Sequence, residues 1–94
     1  MAITVHLPGA LAQDVGGARE LALECPGSAT LDDVLKRIRV EYPALGRRVC
    51  DETGSIRRFV NVYVDDAESR ELQGLRTTVP DGSTILIVGS VAGG

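Results

Sequence analysis

The chain has 94 residues, of which 24% are charged and 44% are hydrophobic, and its net charge at pH 7 is −3. This length predicts a single domain, and the hydrophobic fraction argues against a disordered chain. The negative charge argues against nucleic acid or an anionic membrane as the partner, because both are bound through an excess of Lys and Arg. No signal peptide or membrane-spanning run is visible, so the expected location is the cytoplasm.

Two alternating segments near the amino terminus predict a β-hairpin. In residues 3–7 (ITVHL) and 20–24 (ELALE), apolar and polar side chains alternate with the period of a half-buried strand. Pro8-Gly9 ends the first segment, and a loop that finishes at Gly16-Gly17 is expected to join the two. His6 points away from the apolar face of its strand, which indicates a surface residue and not a catalytic base.

The next segment predicts an amphipathic helix. Thr30 is well placed as the amino-terminal cap, and Asp32 and Asp33 suit the first turn, near the positive end of the helix dipole. One face carries apolar residues at helical spacing: Leu31, Val34, Leu35, Ile38 and Tyr42. Pro43 is expected to stop the helix, and residues 44–57 are predicted to form a connector rich in Arg, Gly and Asp.

Two segments in the second half of the chain predict central strands. Residues 58–64 (RFVNVYV) carry strand-forming side chains on both faces. Residues 84–88 (TILIV) are almost continuously apolar and follow the turn signal Pro80-Asp81-Gly82. Residues 67–79 are expected to be irregular, with a short strand around residues 75–79.

The order of these elements favours an α+β fold in which one main helix covers one face of a mixed sheet. If the first and last strands are central neighbours, as right-handed crossovers allow, the fold is a β-grasp of four to five strands. Residues 1–88 then form the β-grasp domain, and residues 89–94 form a flexible carboxyl-terminal tail. The tail ends in Gly93-Gly94.

Several of these features together resemble a known family. They are the order of elements, the PDG turn, the RFVNVYV strand and the terminal VAGG, and they span essentially the whole chain. They are similar to the ubiquitin-like sulfur carriers of the ThiS/MoaD group. RFVNVYVDD together with VAGG is most similar to the CysO-type thiocarboxylate carriers of cysteine biosynthesis. Many family members have Pro before the tail, where this chain has Val88-Gly89-Ser90.

The resemblance implies a protein that is a co-substrate of an enzyme and not itself an enzyme. A ubiquitin-activating-type adenylyl- and sulfurtransferase would use ATP to adenylate the Gly94 carboxylate, and a persulfide donor would then displace AMP and leave a thiocarboxylate. Val91, Ala92 and Gly93 would thread into this partner, where glycine lets the backbone approach the walls closely. The chain itself is expected to bind no cofactor or metal, and its sequence shows no catalytic dyad or phosphate-binding loop.

The resemblance also implies where the sulfur goes. In cysteine biosynthesis the acceptor enzyme would be a PLP-dependent, cysteine synthase-like protein, with a JAMM-type metalloprotease as a further partner that releases the new residue. A carrier for molybdopterin, thiamin or a specialised metabolite is an alternative. Two further alternatives are a ubiquitin-like modifier, which forms isopeptide bonds with lysine, and a plain β-grasp interaction domain.

An apolar patch on the sheet predicts a docking surface beside the tail. If the helix covers the face of Val60, Val62 and Val64, the opposite face presents an apolar set. This set is Phe59, Tyr63, Leu86 and Val88. The other interpretations are that a loop folds over this face or that these are apolar residues scattered on the surface.

The remaining charged and sulfur-containing residues predict no chemistry of their own. The basic pairs Arg47-Arg48 and Arg57-Arg58 either steer an acidic partner or are solvated loop charges. The acidic residues near the second turn lack the spacing of a calcium loop and are expected to be solvated; they are Asp65, Asp66, Glu68 and Glu71. Cys25 and Cys50 match no metal or redox motif, which indicates structural cysteines.

Overall fold

The fold is built around a five-stranded mixed sheet. The computed structural model describes residues 2–25, 27 and 29–89. Its strands are β1 (Ala2–His6), β2 (Glu20–Glu24), β3 (Ala29–Thr30), β4 (Val60–Val64), β5 (Ala67–Glu68), β6 (Thr78–Val79) and β7 (Thr84–Gly89). Five of these described strands form one sheet in the order β2-β1-β7-β4-β5, and β3 pairs with β6 separately. The central strands β1 and β7 are parallel, which confirms the predicted β-grasp.

The alternation of side chains gives this sheet one apolar face. In the antiparallel β1–β2 ladder Ile3 pairs with Leu23, and in the parallel β1–β7 ladder Val5 pairs with Ile85. All four side chains are buried. A register shift of one residue would turn a whole strand's apolar set towards solvent, so burial of this face fixes the pairing.

The described residues form three α-helices, which the local sequence favours to different degrees. They are α1 (Gly9–Ala12), α2 (Leu31–Glu41) and α3 (Pro43–Val49). The amino end of α2 is a capping box: the Asp33 N–H donates to Thr30 Oγ1 at 3.3 Å, and the Thr30 N–H donates to the Asp33 carboxylate at 2.9 Å. These bonds satisfy donors that a helix end leaves open. The predicted start of α2 and its end before Pro43 are therefore confirmed.

Two predictions for the connecting segments are wrong, and a third is confirmed only in part. The predicted loop between β1 and β2 contains α1 and a 3₁₀ turn, Gln13–Val15. The predicted connector 44–57 begins as helix, because Pro43 suits the first turn of α3. The strand expected around residues 75–79 is only β6, and it pairs with β3 outside the main sheet. The fifth strand of that sheet is instead β5. Short elements like these depend on tertiary burial, which local sequence does not encode.

The sheet and the helices share one aliphatic core. Its largest fully buried side chains are Ile3, Leu23, Leu31, Leu35, Ile38, Leu45, Ile85, Ile87, Val5, Val34, Val49 and Val62. Burying such a side chain contributes roughly 1.5–3 kcal/mol. The helices that supply part of this core, α2 and α3, therefore cover one face of the sheet and leave the other face open. Within the described ranges, no helix is long and apolar enough to cross a membrane.

Candidate functional site

The predicted reactive segment follows the central strand β7. This strand ends at Gly89, which pairs with Val60 of β4. β7 is held on both sides, by β1 through residues 84–86 and by β4 through residues 85–89. The predicted threading residues Val91, Ala92 and Gly93 and the predicted reactive Gly94 lie outside the described residues. The sheet therefore fixes the point from which this segment departs, and the roles of its residues stay predictions.

A tight turn holds the start of β7. Asp65 and Asp66, between β4 and β5, have φ of 46° and 75°, the positive values that a two-residue type I′ hairpin turn requires. The Asp65 N–H donates to the Thr84 carbonyl at 3.0 Å, and the Asp65 carboxylate accepts the Thr84 N–H at 2.9 Å. Asp65 thus holds the start of β7 through both its backbone and its side chain. Among the described residues, no group of three or more His, Cys, Asp or Glu side chains is placed to hold a metal ion.

The open face of the sheet carries an apolar patch. Tyr63 pairs with Leu86, and the neighbouring pair on the same face is Asn61 with Val88. Leu86 is 39% exposed, and Tyr63 and Val88 are half-buried. The intervening residues of both strands point into the core. The fold therefore brings three of the four predicted docking residues together on one accessible face.

The fourth predicted docking residue, Phe59, lies immediately before β4 and is 52% exposed. The guanidinium carbon of Arg58 lies 5.4 Å from the centre of its ring, within the range of a cation–π interaction. The next residue, Val60, pairs with Gly89 at the end of β7. Phe59 therefore stands next to the departure point of the tail. We refer to Phe59, Tyr63, Leu86 and Val88 as the open-face patch.

Polar side chains border the open-face patch. Strand register places His6 beside Leu86 and Glu68 beside Tyr63. Arg70 crosses to β4, where its Nη1 donates to Asn61 Oδ1 at 3.0 Å. An apolar centre with a polar rim is the usual composition of a protein–protein interface. The sequence offered no signal for Arg70, because it lies in the segment predicted as irregular and only the fold brings it to β4.

The four arginines predicted as two basic pairs have different partners in the structure. Arg48 forms an ion pair with Asp14 at 2.9 Å. Arg57 Nε donates to the Arg47 carbonyl at 2.7 Å, so these two residues lie together. Arg58 instead contacts the ring of Phe59. All four residues are exposed. Of these basic residues, only Arg58 contacts the open-face patch directly in the described structure.

Both cysteines are buried side chains, and no disulfide joins Cys25 to Cys50. Burial raises the pKa of both thiols above the usual value. For Cys50 a hydrogen bond and the positive charge of Arg39 offset part of this rise in pKa. A thiol with a raised pKa stays protonated and is a poor nucleophile. The geometry thus agrees with structural cysteines.

A mixed sheet with parallel central strands, crossed by one main helix and open on its other face, defines a ubiquitin-like protein of the β-grasp class. The sequence model of the ThiS family matches residues 5–94. The chain therefore belongs to the ThiS family of ubiquitin-like sulfur carrier proteins, which are carriers and not enzymes.

Individual relatives agree with this assignment. The "Sulfur carrier protein CysO" of Mycobacterium tuberculosis is 33% identical over 96 residues, which cover 100% of each chain. The "Small archaeal modifier protein 3" of Haloferax volcanii is 31% identical over 82 residues, 87% of this chain and 88% of that protein. In the crystal structure of the Amycolatopsis orientalis BexX/CysO complex, the matching chain is 34% identical with a TM-score of 0.81, covering 98% of this chain and 99% of that one.

Proposed function

We propose that this sulfur carrier is loaded as a thiocarboxylate on Gly94 and delivers its sulfur to cysteine biosynthesis. The observation that carries the proposal is the full-length similarity to CysO of Mycobacterium tuberculosis, in which the match covers 100% of both chains. The family match also runs to residue 94 and so includes the Gly-Gly end. Molybdopterin, thiamin or a specialised metabolite is the alternative destination within the same carrier class.

The chemistry needs little from the carrier beyond an accessible carboxylate. A terminal carboxyl group has a pKa of about 3.3–3.7 in model peptides, so it is ionised at neutral pH and can attack the α-phosphate of ATP. Pyrophosphate leaves, and a sulfur donor then attacks the acyl carbon and displaces AMP. ATP belongs to the activating partner in this scheme. Val91, Ala92 and Gly93 are small enough to follow Gly94 into a narrow channel.

We further propose that the open-face patch docks the activating partner, a ubiquitin-activating-type adenylyl- and sulfurtransferase in the cytoplasm. The support is geometric: Phe59 and Leu86 are exposed apolar side chains, and β7 connects the patch to the tail. A few residues near the centre of an interface, often aromatic, carry most of its binding energy. The acceptor enzyme would be PLP-dependent and cysteine synthase-like, and a JAMM-type metalloprotease would release the product.

A second candidate function is protein modification. It is favoured by the 31% identity to the small archaeal modifier protein of Haloferax volcanii. Activation of the carboxylate is common to both functions, and the attacking group differs. Sulfide gives a thiocarboxylate, whereas a lysine amine gives an isopeptide bond. Higher-mass conjugates that survive denaturation and thiol reagents would favour the modifier.

The test is the intact mass of the protein after incubation with ATP, a sulfide source and the activating enzyme of the same organism. We expect a gain equal to one exchange of oxygen for sulfur, mapped to Gly94. A chain lacking Gly94 is the matched control, since it keeps every residue of the described sheet. Equal sulfur loading of the two proteins, or no loading by an enzyme shown to be active on another carrier, would overturn the proposal.

A further inference from the structure

A cleft on the helix side of the molecule concentrates arginine side chains. It has a volume of about 450 Å³ and lies between α2, α3 and the loop that follows α3. Arg39, Arg47 and Arg57 line it, and no residue of the open-face patch does. Its volume lies within the range of about 300–1,000 Å³ that is usual for small-molecule sites. The cleft is therefore a feature separate from the proposed docking surface.

Two glycines hold Arg39 in place at this cleft. A Cβ at Gly46 would lie 2.8 Å from the Arg39 Cα, so only glycine lets α3 pack this closely on α2. Gly54 has a φ of +89°, and a Cβ there would lie 3.2 Å from Arg39 Nη1. Nη1 donates to the Gly54 carbonyl at 3.4 Å, a long hydrogen bond. Arg39 also bonds to the Cys50 side chain. A guanidinium has five N–H donors, so part of the hydrogen-bonding capacity of this half-buried side chain remains available.

The three cleft arginines are not neutralised by ion pairs in the described part of the chain. Other basic side chains are paired: Lys36 lies 3.0 Å from Asp32, Arg37 contacts Glu41, and Arg48 contacts Asp14. Arg39, Arg47 and Arg57, like some other arginines of the described chain, have no carboxylate within ion-pair distance.

The acidic residues of the cleft do not cancel its charge. Asp51 lines the cleft, but its Oδ1 accepts the N–H groups of Thr53 at 2.9 Å and Ser55 at 3.2 Å. The Thr53 hydroxyl bonds to the same oxygen, and this bond, the two N–H groups and, last, the positive charge of Arg57 hold the pKa of Asp51 below its usual value. Glu52 is the other acidic lining residue. Three guanidinium groups and two carboxylates therefore line the cleft, which leaves it with an excess of positive charge.

A second cleft meets the first at Arg39. It has a volume of about 970 Å³ and shares Arg39, Thr53 and Gly54 with the first. It adds Arg76 and the ion pair of Lys36 with Asp32. Arg39 thus stands between two recesses that both carry basic groups. A ligand with a charged end in the first cleft would find room for the rest of its structure in the second.

We propose that Arg39, Arg47 and Arg57 form a binding site for a small phosphate-bearing anion. The planar guanidinium offers paired N–H donors that match two oxygens of a phosphate, and such charge-assisted bonds are stronger than neutral ones. The Arg57 Nε bond to the Arg47 carbonyl links two of the three arginines and leaves the terminal nitrogens of Arg57 for the ligand. Free phosphate and a phosphate ester share this chemistry.

The test is a ¹⁵N NMR titration of the full chain with inorganic phosphate and, separately, with AMP, with chloride holding the ionic strength constant. We expect saturable shifts at the amides of Gly46, Cys50 and Gly54. Arg39→Gln should weaken binding about tenfold, as expected for the loss of a charge-assisted hydrogen bond. Tighter binding of AMP than of phosphate would assign a phosphate ester, and equal binding would assign the free anion.

The matched control is Arg37→Gln, which removes an exposed arginine of the same helix that is already paired with Glu41. Equal binding by the Arg37→Gln and Arg39→Gln variants, or shifts that grow linearly without saturation, would reject the site. Should Arg39→Gln fail to fold, the exposed Arg47→Gln variant decides, and an affinity unchanged from that of the native chain rejects the proposal. The titration uses no partner enzyme, so its outcome is independent of the proposed sulfur chemistry.

Discussion

The two faces of the central strands differ in what they contribute, although their residues alternate along the same chain. On the covered face Val62, Ile85 and Ile87 are fully buried. On the open face Leu86 is 39% exposed, between two isoleucines that have no exposed surface. The difference teaches that the β alternation separates side chains that stabilise the domain from side chains that stay accessible for the proposed docking. A side chain on one face holds the domain together, while its neighbour is available to bind.

The energetic asymmetry between the faces is large. Each buried aliphatic side chain contributes roughly 1.5–3 kcal/mol through burial. The Tyr63–Leu86 pair on the open face is only partly buried, and its cross-strand contact is worth about 0.2–1 kcal/mol. Because the domain gains little from these apolar side chains, their presence on an accessible face is better explained by binding than by folding.

The difference between the two faces is tested most directly by truncating adjacent side chains of β7. We expect Ile87→Ala to lower the free energy of unfolding by about 2–4 kcal/mol, because it leaves a cavity in the core. We expect the matched variant Leu86→Ala to cost less than about 1 kcal/mol. Urea denaturation followed by circular dichroism measures both values. Similar losses for the two variants would show that the open face is stabilising after all.

The covered face can also be loosened through its helices. Gly46→Ala would place a Cβ 2.8 Å from the Arg39 backbone, so α2 and α3 must move apart. We expect a loss of about 1–3 kcal/mol in the free energy of unfolding, as for other overpacked positions. Gly89→Ala is the control, since a Cβ there meets nothing within 4 Å. If thermal unfolding shows equal stability for the two variants, the close approach of α3 to α2 does not require glycine.

Local sequence predicted the parts of the fold in which the spacing of apolar side chains agrees with the residues that begin and end each element. Alternation gave β1 and β2 almost to the residue, and Thr30, Asp33 and Pro43 marked both ends of α2. The missed helix α3 has only Leu45 and Val49 as large apolar residues, too few for a recognisable period. Its burial against α2 is a tertiary effect. β5 is two residues long and exists because the preceding turn folds it back onto β4.

The same limit applies to the candidate site. Alternation alone placed Tyr63, Leu86 and Val88 on one face, and the sheet brings them together. Arg70 and Arg39 could not be assigned from sequence, because their neighbours are distant in the chain: Arg70 bonds to Asn61, and Arg39 lies between Gly46 and Gly54. Contacts of this kind are set by loop paths, which carry no periodic signal.

The open face can be tested by its effect on binding. We expect Leu86→Ala to weaken binding to the activating enzyme about tenfold, as for a moderate interface hot spot. Calorimetric titration of the two proteins would measure the affinity. Lys36→Ala is the control, because Lys36 lies on α2, on the covered side of the sheet. Equal affinities for Leu86→Ala and Lys36→Ala would place the partner elsewhere on the domain.

The smallest expected effects concern the cap of α2, the helix that closes the covered face. Thr30→Ala should lower the free energy of unfolding by about 1 kcal/mol at neutral pH, because it removes a side-chain cap. The Asp33 carboxylate accepts hydrogen bonds from the Thr30 backbone N–H and from the Thr30 hydroxyl. Both bonds, the backbone one more strongly, hold the pKa of Asp33 below its usual value. The Asp33→Asn variant removes this carboxylate alone. The pKa of Asp51, which is also lowered, is the same in both proteins and does not contribute to the difference between them.

The sign of the pH dependence follows from the lowered pKa of Asp33. The folded state favours the ionised carboxylate, so its contribution is fully present above the unfolded-state pKa and disappears as the pH falls through the lower, folded-state pKa. The stabilities of the native chain and of Asp33→Asn should therefore differ at neutral pH and converge in acid. Thermal unfolding across the acid range measures this difference. If the difference in stability between the two proteins stays constant with pH, the ionised carboxylate of the capping box does not stabilise the helix that covers this face.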